Sequence, residues 1–128
     1  MRRRRLGRTR LEISELTLGG GIVGGILIHA PEEVRLEALR RLVRAGGNWV
    51  DTAAIYGQGE SERALGRLLP QVAPGPHVST KVHLDLTARE DLAGQVRRSL
   101  EASLERLRLD RIDLFQLHNP IAAVNDAQ

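Results

Sequence analysis

The chain has 128 residues, of which 41% are apolar and 27% charged, and its formal net charge is +3. This length and apolar content suit one globular domain. Cysteine is absent, which excludes a disulfide framework, a thiolate zinc site and a cysteine nucleophile, and favours the cytoplasm. No apolar run approaches the roughly 18 residues of a membrane span, and none forms an export signal behind the basic start. With only 2% aromatic residues, we expect neither a nucleic-acid nor a membrane partner.

The first third of the chain predicts a hairpin, a short strand and a helix. "RRRRLGRTRLEIS" is typical of two short strands around a Gly-Arg-Thr turn. "ELTLGGG" then indicates a strand that runs into three glycines. "PEEVRLEALRRLVRAGG" predicts a helix with Pro31 at its first position and Gly46 just beyond its end. The buried stripe of this helix would consist of Leu36, Leu39 and Val43.

The remainder alternates between strands and helices. "NWVDTA", "HVSTKV" and "RIDLFQLH" are predicted strands. "ESERALGRLLP" predicts a short helix that ends at Pro70, and its inward residues would be Ala64, Leu65, Leu68 and Leu69. A longer helix is expected from about Ala88 to Arg108, opened by a capping box at 87–90. Its apolar face would carry Leu92, Val96, Leu100, Leu104 and Leu107.

This alternation indicates repeated βαβ units and therefore a parallel sheet with right-handed crossovers. Both a barrel and an open, doubly wound sheet satisfy the pattern. The glycine run "GGGIVGGIL" does not decide between them, because it lacks both G-x-G-x-x-G leading into a helix and the Gly-Lys-Ser/Thr ending of a phosphate loop. A flexible strand-to-helix turn explains these glycines equally well.

Four polar residues lie at the carboxyl ends of the predicted strands or directly after them: Asp51, Tyr56, Lys81 and His118. In a parallel sheet these ends share one rim, which is where α/β proteins place their active sites. A phenol is a poor acid at neutral pH, and a nearby ammonium lowers the pKa of a phenol. We therefore expect Lys81 to tune Tyr56, Asp51 to hold Lys81 charged, and His118 to direct a substrate oxygen.

Each of these residues also has an ordinary structural explanation. Asp51 could cap a helix, Tyr56 could pack at the rim, and His118 could be a satisfied loop histidine. Lys81 is harder to explain in this way. It is the only lysine in a chain whose other basic side chains are arginine, and arginine does not serve as a tunable ammonium. The combination of all four residues favours a carbonyl-protonating site.

The stretch "GGNWVDTAAIYGQGESERALG", followed by "STKV" and "LFQLHNP", resembles the aldo-keto reductases over nearly the whole chain. The resemblance implies a (β/α)8 barrel of the TIM type, with the hairpin closing its bottom. It also implies that Tyr56 is the general acid, that Lys81 and Asp51 tune it, and that His118 orients the carbonyl. The hydride donor would be NADPH or NADH, with Gly20, Gly21 and Asp51 near the nicotinamide, and the substrate an aldehyde, aldose or ketone.

A complete barrel of this kind takes about 250 residues, so the resemblance implies an N-terminal half. Residues 1–128 would then form the hairpin and about four βα units, and would lack most of the cofactor site. A second copy or a separate C-terminal half would complete the barrel. Two alternatives stay open: a non-catalytic remnant or binding and association module, and a different carbonyl or sugar chemistry on the same sheet.

Overall fold

In the computed structural model, residues 1–21, 23, 25–88 and 91–120 are described. The chain begins with an antiparallel hairpin of β1 (Arg3–Arg5) and β2 (Glu12–Ser14), in which Arg3 pairs with Ser14. Gly7 takes a φ of 53° in the connecting turn, a conformation that glycine adopts without strain. The predicted hairpin is therefore confirmed.

Four parallel strands follow: β3 (Leu18–Gly19), β4 (Trp49–Asp51), β5 (His77–Val82) and β6 (Leu114–Leu117). They are adjacent in the order β3-β4-β5-β6, as βαβ units predict. Asp51 pairs in register with Ser79, and Lys81 with Gln116. Because residues in register point to the same face of a sheet, these four side chains share one face.

The helices are α1 (Ile26–His29), α2 (Glu32–Arg44), α3 (Glu60–Leu68) and α4 (Leu92–Leu107), and a 3-10 turn at Leu69–Gln71 follows α3. Pro31 is the N-cap of α2 and not its first residue. Gly46 has the expected positive φ, 85°. The fourth helix begins later than predicted, and its capping box includes residues 89 and 90, which lie outside the described residues. The short helix α1 was not predicted.

The core lies between one face of the sheet and the helices. Its buried cluster consists of Leu27, Leu39, Val50, Leu65, Leu68, Leu69, Val72, Val78 and Leu107. In α2 only Leu39 of the predicted stripe is fully buried, whereas all four inward residues predicted for α3 are buried. The predicted stripe of α4 is wrong at Val96, which is 36% exposed. Helix α3 packs closely against the C-terminal end of α4, where Leu107 is buried.

That approach depends on Gly66. A Cβ at this position would collide with the carbonyl oxygen of Arg106 and lie 3.0 Å from the carbonyl oxygen of Leu107. One turn earlier on α3, the carboxylate of Glu62 is fully buried. It accepts hydrogen bonds from Arg106 Nε and from Thr80 Oγ1, both at 2.6 Å. These contacts join α3, α4 and β5 behind the strand that carries Lys81.

Among the described residues, no helix combines the length and the apolar character needed to cross a membrane.

Candidate active site

Lys81 and Asp51 form the centre of the site. Lys81 Nζ donates to Asp51 Oδ2 at 2.6 Å and to the carbonyl oxygen of Thr52 at 2.7 Å. The Lys81 side chain is only 13% exposed. Both acceptors lie at the end of β4. Lys81 follows Ser79 by two residues on β5 and faces the same way, and Ser79 is the strand partner of Asp51. The ammonium is therefore held at the rim where β4 and β5 end.

Tyr56 lies beside this ammonium. Its hydroxyl oxygen is 3.5 Å from Lys81 Nζ, and the ammonium is 5.0 Å from the centroid of the ring. The 3.5 Å separation of Lys81 Nζ and the hydroxyl oxygen is at the limit for a hydrogen bond, so the contact is mainly a charge interaction. A backbone bond from Tyr56 N to the carbonyl oxygen of Ala53, 3.1 Å long, fixes the loop. Gly57 and Gly59 follow with φ values of 58° and 85° and turn the chain into α3.

His118 lies directly after β6 and beside Tyr56. Its backbone N–H donates to the carbonyl oxygen of Val82 at 2.8 Å, which extends the pairing of β5 and β6 by one bond. Its ring stands edge-on to that of Tyr56, with centroids 5.6 Å apart and planes at 83°. Burial, followed by the charges of Lys81 and His83, lowers the pKa of His118 below 6.5, while Asp51 opposes the shift. The imidazole is therefore neutral at neutral pH and has one N–H to donate.

One atom of His118 is left without a partner. Among the described residues, Nδ1 is the one buried side-chain nitrogen or oxygen that makes no hydrogen bond. A buried polar atom in this condition is costly.

A second group of residues supports Asp51 from behind. Asp51 Oδ1 accepts a hydrogen bond from Ser79 Oγ at 2.7 Å and a longer one from Gln116 Nε2 at 3.4 Å. Trp49 Nε1 donates to Ser79 Oγ at 3.0 Å. These three supports were not among the site residues predicted from the sequence. A usable signal was present, because Trp49, Ser79 and Gln116 each precede a predicted site residue by two positions and so face the same way.

The two predicted cofactor glycines lie close to the site in different ways. Gly20 is buried, and its N–H donates to the carbonyl oxygen of Asp51 at 2.7 Å. A Cβ there would collide with Ser61 Oγ, so packing alone requires this glycine. A Cβ at Gly21 would lie 3.5 Å from the ring of Tyr56. Gly21 therefore places no side chain of its own against the phenol.

The structure thus brings Asp51, Tyr56, Lys81 and His118 together at the carboxyl ends of parallel strands. This arrangement defines a parallel α/β protein with a cluster of four polar side chains on the rim where such proteins place their active sites. The profile of the Aldo/keto reductase family matches residues 15–127. The chain belongs to that family, and the resemblance recognised in its sequence is confirmed.

Individual relatives agree with this assignment. Over 119 residues the chain is 34% identical to L-galactose dehydrogenase of Arabidopsis thaliana, covering 91% of this chain and 37% of that protein. It superposes on the holo form of aldo-keto reductase AKR11C1 from Bacillus halodurans with a TM-score of 0.76 and 27% identity, covering 99% of this chain and 42% of the other. An aldo-keto reductase from Klebsiella pneumoniae in complex with NADPH matches with a TM-score of 0.70 and 24% identity, over 88% of this chain and 37% of the other.

These matches establish the TIM-barrel family as the fold class. The chain spans less than half the length of each of these three relatives. The four parallel strands of the described residues correspond to half the strands of an eight-stranded barrel.

Proposed function

We propose that the chain is the N-terminal half of an NAD(P)H-dependent oxidoreductase domain that interconverts a carbonyl and an alcohol, with Tyr56 as the general acid. The observation that carries the proposal is the position of Lys81, whose Nζ lies 2.6 Å from Asp51 Oδ2 and 3.5 Å from the hydroxyl of Tyr56. One partly buried ammonium thus joins a fixed carboxylate to a phenol. The substrate class is an aldehyde, an aldose or a ketone, and the proposed compartment is the cytoplasm.

The geometry supports a division of labour among the four residues. As the phenol of Tyr56 gives up its proton, the charge on Lys81 stabilises the phenolate that forms. Asp51 keeps Lys81 charged and in place. The neutral ring of His118 stands at the edge of Tyr56, where its N–H can hold a carbonyl oxygen within reach of the phenol. NADPH or NADH, when bound, supplies the hydride for the carbonyl carbon.

The residues present fit the nicotinamide end of such a cofactor. Gly21 places no side chain against the Tyr56 ring, and the neighbouring Gly20 is tied to the carbonyl oxygen of Asp51 at the end of β4. Gly20, Gly21 and Asp51 are the residues proposed to lie against it. We propose that a second copy of the chain or a C-terminal half contributes the rest of the cofactor site, because the chain spans 42% of the holo relative AKR11C1.

The first experiment is a fluorescence titration of NADPH into the 128-residue chain, with circular dichroism and light scattering on the same sample. Saturable binding by a folded assembly would support a chain that completes its own cofactor site. A folded chain that does not bind NADPH would favour the non-catalytic binding or association module for this polypeptide.

The chemistry is tested by Tyr56→Phe in a barrel completed with a C-terminal half. The variant keeps the ring and loses the acidic proton. We expect kcat for carbonyl reduction to fall by about 10²-fold or more, with the dissociation constant for NADPH almost unchanged. Turnover equal to that of the parent protein would remove Tyr56 from the role of acid.

A further inference from the structure

Behind the site, a buried hydrogen-bond chain runs from Trp49 through Ser79 to Asp51. Trp49 is 4% exposed and Ser79 is fully buried. Trp49 Nε1 lies 3.0 Å from Ser79 Oγ, and Ser79 Oγ lies 2.7 Å from Asp51 Oδ1. Two residues of β4 and one of β5, about 30 positions later in the chain, thus form one polar line that ends on the carboxylate.

Chemistry fixes the direction of this line. An indole nitrogen can only donate, so Trp49 must direct its N–H at the oxygen of Ser79. The single proton of that hydroxyl is then left for another acceptor. The carbonyl oxygen of Val50 is 3.4 Å away, whereas the Asp51 carboxylate is at 2.7 Å and is charged. The shorter, charge-assisted bond is the stronger one, so Ser79 donates to Asp51.

Because Ser79 donates to Asp51, the two oxygens of the carboxylate have different partners. Oδ1 is held by Ser79, and Oδ2 accepts from Lys81 at 2.6 Å. The Asp51 side chain is 33% exposed, so water can reach the carboxylate and compete for it. A buried hydroxyl on one oxygen restricts rotation of the group and keeps the other oxygen directed at the ammonium.

We propose that Ser79, supported by Trp49, is a positioning residue that acts through Asp51 to set where the Lys81 ammonium lies relative to the Tyr56 hydroxyl. The inference rests on the proposed function, because it assumes that Lys81 and Tyr56 act as a pair. It adds two residues, on the inward faces of β4 and β5, that touch neither Tyr56 nor the substrate in this role.

The test uses the single tyrosine of the chain. Ultraviolet absorbance of the phenolate therefore reports the ionisation of Tyr56 alone, in the chain as it exists and without substrate. Ser79→Ala removes the donor to Asp51, and Trp49→Phe removes the indole N–H together with part of the buried ring system. We expect the proton affinity of the phenol to rise about three- to tenfold in Ser79→Ala, and by less in Trp49→Phe. Ser79→Thr, which keeps the hydroxyl, should restore the parent value.

A matched control lies on the same strand. Thr80 is also fully buried and also donates a hydroxyl proton to a carboxylate, Glu62, but on the opposite face. Thr80→Val should weaken folding without moving the ionisation of the phenol. An equal shift in Thr80→Val would show that Ser79 acts only through general stability, and would overturn the inference. If Ser79→Ala does not fold, Ser79→Cys provides a nearly isosteric variant with a weaker donor.

Lys81→Met separates this inference from the proposed function. If Lys81→Met raises the proton affinity of the phenol while Ser79→Ala and Trp49→Phe leave it unchanged, the positioning role is wrong and the Lys81–Tyr56 pair stands. If Lys81→Met has no effect, the pairing in the proposed function fails, and the positioning role fails with it.

Discussion

Arg106→Met should destabilise the fold strongly, because it leaves the buried carboxylate of Glu62 without its charged partner. Arg106 Nε lies 2.6 Å from Glu62 Oε2, and the two side chains are 24% and 0% exposed. Thr80 is the remaining donor, and a single hydroxyl does not compensate a buried charge. Methionine preserves most of the apolar stem of the arginine, so the substitution mainly removes the guanidinium.

Removal of one partner from a buried ion pair costs about 3–5 kcal/mol. The partial exposure of Arg106 places the expected value at the lower end, about 3 kcal/mol. The same substitution at Arg41 provides the control. Arg41 pairs with Glu37 at 2.9 Å, but these side chains are 77% and 43% exposed, and water screens such a pair so that it contributes little to stability.

The assay is urea unfolding followed by circular dichroism. With an m-value of about 1.5 kcal/mol per molar urea, a loss of about 3 kcal/mol lowers the midpoint by about 2 M. Arg41→Met should lower it by well under 1 M. Midpoints for the two variants that agree within about 0.5 M would refute the reasoning. Adding Glu62→Gln to Arg106→Met should recover part of the loss, because no buried charge then remains uncompensated.

Two further predictions concern packing and protonation. Gly66→Ala should lower the unfolding free energy by about 1–3 kcal/mol, because the new Cβ would meet the backbone of Arg106 and outweigh the gain of about 1 kcal/mol in helix propensity. Gly94→Ala is the control and should be neutral or stabilising, because its new Cβ would meet the movable side chain of Asp91. Equal urea midpoints for the two variants would contradict this prediction. Burial lowers the pKa of His118 below 6.5 in the folded chain. Just below pH 6.5 the unfolded chain therefore binds more protons than the folded chain. The free energy of unfolding consequently falls as the pH drops through this window. His118→Asn should therefore lose less stability than the parent between about pH 7.5 and about pH 5.5 in urea unfolding; equal losses would show that His118 does not titrate in this way.

The general plan of the fold followed from local patterns. Alternating strand and helix segments predicted a parallel sheet, and the structure has one. The same patterns placed Asp51, Lys81 and His118 at strand ends and Tyr56 in a following loop, and the structure brings all four together. Their catalytic roles stay predictions.

The errors arose where a local pattern depends on a distant partner. An apolar stripe along α4 predicted burial of Val96, but α3 approaches closely only near Arg106 and Leu107. Glu62 was not recognised as a core residue, because its burial depends on an arginine 44 positions later in the chain. The late start of α4 likewise could not be read from its apolar repeat.

The sequence by itself determined which residues have suitable chemistry and on which face of a strand or helix each lies, since the periods of strands and helices follow from backbone geometry. Only the tertiary structure decided how the strands align. The register that sets Asp51 beside Ser79, and Lys81 beside Gln116, determines which donor meets which carboxylate oxygen. A shift of one residue would turn each side chain to the other face, so the support behind Asp51 is a property of strand pairing and not of any single segment.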